Sequence, residues 1–138
     1  MGALFYNGNE VRKLINSKFQ DDKNFLVVSK HNNTKKSIIK LLLSNLYYTI
    51  DNNRTFVLYF SPDGVYSTEI SNSIKENFDF IDWKSIQSFE LIDNLNKPLI
   101  KILSNGKMNE YEVPFVGKIF DTNKDNINEL KMNNWYRD

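Results

Sequence analysis

The chain has 138 residues and no cysteine, and its 18 Lys+Arg stand against 17 Asp+Glu for a formal net charge of +1. That length suits one domain with its own core, and the missing thiol excludes disulfides, thiolate metal sites and cysteine nucleophiles, so a reducing cytoplasm is the expected setting. Balanced charge supplies no overall field to gather nucleic acid or an anionic membrane, and either would need a local patch.

Arg12, Arg54 and Arg137 are the only arginines; the wealth of Lys, Asn and Ile is the bias of an AT-rich genome and points to a bacterial source, a Gram-positive species or its phage. The opening MGALFYNGNE has neither a charged start nor a long apolar stretch, so no signal peptide or spanning helix is expected there. Tyr6 stands where N-myristoylation wants Ser or Thr.

In chain order, an N-terminal helix is predicted over about residues 9–20: Asn9 can cap it, Glu10 suits its first turn, and Val11, Leu14, Ile15 and Phe19 recur at helical spacing. NFLVVSK then reads as a buried strand. The next segment is ambiguous. Thr34 can cap a short helix from Lys35 to Ser44 with Ile38, Leu41 and Leu42 on one face, followed by a strand from Leu46 to Ile50, although Lys35 and Lys36 oppose the helix dipole.

From Asp51 the pattern is one of hairpins. RTFVLYF and VYSTEI flank SPDG, where Pro62 presets φ and Gly64 is expected to supply positive φ; PLIKILS and KMNEYEVPF flank Asn105-Gly106, the pair suited to a type I′ turn. The all-apolar Phe56–Phe60 run predicts a central strand covered on both sides. Elsewhere alternation assigns faces: Phe89 and Leu91 inward against Ser88 and Glu90, and Tyr111, Val113 and Phe115 inward against Glu110 and Glu112 on a wet side. Between the hairpins, FDFIDWKSIQSFEL contains two alternating runs split by DWKSI. Asp82 is expected to cap a turn that Trp83 and Ile86 anchor in the core, making a corner between two strands. Residues of about 123–135 close the chain as a helix with Ile127, Leu130 and Trp135 on one face.

The order of these elements, with VLYFSPDGVYSTEI, FDFIDWKSIQSFEL and PLIKILSNGKMNEYEV, resembles the bacterial pleckstrin-homology-like (PH-like) proteins, in which a hairpin precedes an aromatic turn and a long meander. Trp83 and Ile86 look like the aromatic and isoleucine of that turn, and the resemblance covers about Lys23 to Trp135. It implies an α+β, mainly β fold: one domain over 1–138, an antiparallel barrel or meander of about seven strands over roughly 24–116, with a C-terminal helix and an added N-terminal one. It also implies a binding or assembly module, with an unknown protein partner or a homo-oligomer.

Lipid-binding PH domains carry basic residues after the first strand, and Lys30, Lys35, Lys36 and Lys40 occupy a comparable place as a candidate anionic-surface patch, flanked by aliphatics. The following strand, LYYTI, lacks the closely spaced Lys and Arg set of that family. Weak contact with an anionic membrane is thus the alternative to protein association, and solvated lysines over a buried helix face are the simpler account of the same residues.

Catalytic, cofactor and metal sites are not expected. Asp121, Asn123 and Asp125 mimic the start of a calcium loop, but Asn126 replaces its glycine and Met132 its bidentate glutamate, which leaves helix capping as their role. His31, the only histidine, sits in a polar run; Asp79 with Asp82 and Glu110 with Glu112 read as wet strand residues. There is no GxSxG, and the five glycines are too scattered for a phosphate loop. Single-stranded nucleic-acid binding by a small β-barrel needs exposed aromatics in a basic groove; Tyr47, Tyr48, Phe56, Phe60, Phe78 and Phe80 are instead expected in the core, which with the neutral charge argues against it.

Overall fold

Two strands with unbroken apolar runs sit side by side in the middle of the sheet. The structure, a computed structural model, describes residues 7–31, 54–70, 78–93 and 97–136. Strand β1 (Phe25–His31) pairs with β2 (Thr55–Phe60), and around them lie β3 (Gly64–Glu69), β4 (Asp79–Asp82), β5 (Ile86–Ile92), β6 (Leu99–Ser104) and β7 (Lys107–Glu112). All pairings are antiparallel, in the order β4-β3-β2-β1-β7-β6-β5. Helix α1 spans Gly8–Phe19 and α2 spans Asn123–Met132. The described residues are therefore mainly β, with two α-helices.

Because side chains alternate across a strand, β1 and β2 must find cover on both faces. Leu26, Val28, Leu58 and Phe60 point to one core, which holds Ile100, Ile102, Ile127 and Leu130; Phe25, Val27, Val57 and Tyr59 point to a second, closed by Val11 and Ile15 of α1. Burying each such side chain contributes about 1.5–3 kcal/mol.

The two edge strands, β4 and β5, are not paired with each other, yet only Trp83–Ser85, a 3₁₀ turn, joins them. Laid flat, seven strands would hold their edges roughly 29 Å apart, whereas the chain from Asp82 to Ile86 reaches about 14 Å at most. The sheet must curl. Contacts across the inner core agree: Phe60 of β2 meets Phe89 of β5 edge-on with ring centroids 6.2 Å apart, and Trp135 wedges against both at 5.1 Å. The sheet nevertheless stays open between β4 and β5.

Several expectations need correction. Helix α1 is capped by Asn7, whose side chain accepts the Glu10 N–H, while Asn9 accepts from Arg12. Gly64 does not have positive φ; it is small because a Cβ there would run into the Ile81 carbonyl and lie 2.8 Å from the Phe80 ring, so glycine lets β4 approach β3. Asn105 and Gly106 do take φ of 52° and 73°, joining β6 to β7. Glu110, expected on a wet face, is 8% exposed and sits opposite Lys101 in register. At the C-terminus the helix stops at Met132, and Asn134, Trp135 and Tyr136 follow with positive φ. That left-handed turn costs about 1 kcal/mol or more per non-glycine residue and is held by burial of Trp135 in the inner core.

Helix α2 also mends a defect in the sheet. Strand β1 pairs with β7 only from Ser29 to His31, which leaves the preceding backbone groups on that side without a strand. Asn123 accepts the Val27 N–H (2.9 Å) and donates to the Val27 and Pro114 carbonyls (2.7 Å each), and Asn126 donates to the Phe25 carbonyl. Asp121 accepts the Gly8 N–H. Asn123, which mimics a calcium-loop ligand, and Asn126, which stands at that loop's glycine position, thus serve as surrogate strand partners, as buried backbone groups require. The expected helix from Lys35 to Ser44 and strand from Leu46 to Ile50 lie outside the described residues.

Candidate functional site

The corner between β4 and β5 docks onto the turn between β2 and β3. Asp82 Oδ1 accepts the Lys84 N–H at 3.0 Å, capping the 3₁₀ turn. Trp83 then reaches the other way: its backbone N–H donates to the Asp63 carbonyl (3.1 Å) and its indole Nε1–H to the Ser61 carbonyl (2.7 Å). Its ring meets Phe89 at 5.5 Å, and Ile86 packs partly buried against the same core. Ser61 Oγ closes the receiving turn by accepting from the Asp63 and Gly64 N–H groups.

Between turn and corner lies an open cleft of ≈ 730 Å³. The turn contributes Pro62 and Asp63, and the outer faces of β3 and β4 contribute Tyr66 and Phe80. Asp82, Trp83 and Lys84 form its far wall. Phe80, expected in the core, is 45% exposed, with its ring 4.6 Å from that of Tyr66. Tyr66 belongs to a row of aromatics running back to α1, where Phe19 stacks on Tyr59 at 4.1 Å and touches Tyr66 and Phe78. A hydrogen bond from Tyr59 to Asp21 (2.8 Å) ends the row. Burial and that bond push the Tyr59 hydroxyl well above its ordinary pKa. For Asp21, burial alone would raise the carboxyl, but hydrogen bonds from the Lys23 N–H, Tyr59 and Asn24 outweigh it and hold the group below its usual value.

The candidate basic patch looks different. Only Lys30 of its four lysines is described; Lys35, Lys36 and Lys40 lie outside the described residues. Lys30 is half-buried: Nζ donates to Asn109 Oδ1 at 2.7 Å and lies over the Phe56 and Tyr111 rings at 5.6 and 5.3 Å. Burial first, then the charges of Arg54 and Lys107, lower its pKa, with Glu69 partly opposing. Arg54 itself forms a two-pronged pair with Glu69 and lies over Phe56. Lys30 is tied into the end of the inner core, a poor stance for reaching a lipid headgroup.

Family models, curated proteins and solved structures were all compared with the chain, and none matches. Among the described residues no group of three or more His, Asp or Glu could hold a metal ion, and Asp79 and Asp82, three apart on β4, fall on opposite faces of the strand. No described helix is long and apolar enough to cross a membrane. SPDG and DWKSI each showed as a turn in the sequence. Their locking together, and the exposure of Phe80 beside the lock, had no local signal.

Proposed function

We propose that the chain is a noncatalytic PH-like binding and assembly module of the bacterial cytoplasm, and that it acts by protein association at the β4–β5 corner. The strand order, the curl of the sheet and the C-terminal helix against the inner core support the PH-like, barrel-type reading. One observation carries the functional part: the corner brings to one place two strand edges that pair with no other strand among the described residues, next to the partly exposed ring of Phe80. Unpaired edges are templates for another chain, and β4, only four residues long, is little protected beyond its two aspartates.

Sedimentation velocity across a range of concentrations, with affinity retrieval from native lysate, tests the reading when repeated with Phe80→Lys and Ser88→Lys. Association weakened by these edge substitutions is the expected result. A monomer at high concentration that retrieves no partner overturns the proposal, as does a partner retained equally by both variants.

A further inference from the structure

We infer that the cleft at the Trp83 corner takes the guanidinium of an arginine side chain presented by the protein partner. The inference rests on the association reading above and names the chemistry the partner brings. Three aromatic residues, Tyr66, Phe80 and Trp83, line this open cleft together with two acidic ones, Asp63 and Asp82. Aromatic faces carry negative quadrupole potential and attract a desolvated cation, and a carboxylate at the rim adds a charged acceptor. This combination disfavours an anion and wastes the carboxylates on a purely apolar ligand.

Within the cleft, Asp82 uses one oxygen on the Lys84 N–H and keeps the second. The Asp63 carboxylate makes no hydrogen bond or ion pair among the described residues, since the contacts of that residue go through its backbone. Lys84 is the countervailing charge. Its ammonium forms no ion pair among the described residues, and its exposed, flexible stem can carry the charge away from the wall.

Arginine is favoured over lysine for two physical reasons. A planar guanidinium stacks on aromatic rings while donating sideways to a carboxylate, and it sheds its water more readily than an ammonium does. The open, shallow shape also fits a side chain arriving from a surface better than a small molecule that must be enclosed.

The probe is Nα-acetyl-arginine N-methylamide, with the isosteric citrulline derivative as the uncharged control, titrated into the whole chain. The Trp83 indole N–H resonance, assigned by its loss in Trp83→Phe, is the readout, and the Trp135 indole serves as internal reference. Saturable shifts at Trp83 with arginine, absent with citrulline, are expected at low-millimolar probe. Asp63→Asn should weaken binding about fivefold and Phe80→Ala about fivefold, while Lys84→Glu should tighten it about threefold. Asp63, Phe80 and Lys84 are exposed, so unchanged circular dichroism spectra will certify folded variants.

Equal shifts with citrulline, shifts that survive Asp63→Asn and Phe80→Ala, or none at tens of millimolar would each overturn the inference. A silent probe alongside association that depends on Phe80 would leave the module reading standing and remove only the arginine.

Discussion

Replacing Trp83 by alanine should be among the most costly single changes at the surface of this domain. The side chain is half-buried, so roughly 100 Å² of indole leaves contact, worth about 2.5 kcal/mol. Loss of the edge-on pairing with Phe89 adds about 1 kcal/mol, and the stranded Ser61 carbonyl about 1 kcal/mol more. The expected total is about 4.5 kcal/mol, a large fraction of the 5–15 kcal/mol typical of a domain. At this chain length that corresponds to a fall in Tm of about 16 °C. Urea unfolding followed by far-ultraviolet circular dichroism measures it, with Trp83→Phe as the graded companion: it keeps most of the ring contact, loses the Nε1–H bond and should cost about 1–2 kcal/mol. A loss below about 1 kcal/mol for Trp83→Ala would refute the corner as an anchor and with it the reason the sheet edges are held together.

Other expectations follow from the same geometry. Asn123→Ala strands the Val27 N–H and two carbonyls in the interior and should cost about 4 kcal/mol; the Val27 amide should then exchange much faster, and unchanged exchange would contradict the surrogate-strand role. Gly64→Ala pushes against the β4 backbone and should cost about 2 kcal/mol, with amides of β4 losing protection first in hydrogen exchange. At alkaline pH the tyrosines act in a definite direction. Tyr59 lies above its ordinary value of 10.0, through burial and then its bond to Asp21, and burial pushes Tyr111 up to about 12. Both hold protons in the folded state that the unfolded state releases, so the stability they lend is complete below pH 10 and drains away above it. Lys30, lowered by burial, works in the opposite direction as the pH rises toward its ordinary value of 10.5. In a tyrosinate absorbance titration, Tyr59 and Tyr111 should resist ionisation until the chain unfolds; a loss of tyrosinate signal from the still-folded protein in Tyr59→Phe or Tyr111→Phe would contradict the packing.

What the sequence made legible was local. The Asn105-Gly106 turn, the doubly covered β2 and the break at DWKSI each follow from a few neighbouring residues, and each is present in the structure. Errors arose where a partner far along the chain decides the matter. Gly64 looked like a turn glycine, but the strand β4 passing beside it sets its size limit. Asn123 and Asn126 looked like capping residues, yet their partners in β1 lie about a hundred positions away. Glu110 and Phe80 reversed their expected exposure because alternation says which residues share a face and says nothing of what later covers it.

The most direct test of the module reading is site-specific photo-cross-linking. With benzoylphenylalanine in place of Phe80, 45% exposed at the corner, or in place of Met132, 85% exposed on α2, the chain is irradiated in native lysate. The account predicts a discrete adduct, to a second copy of the chain or to one partner, from position 80 and none from position 132. No adduct at position 80, or the same adduct from both positions, would contradict it.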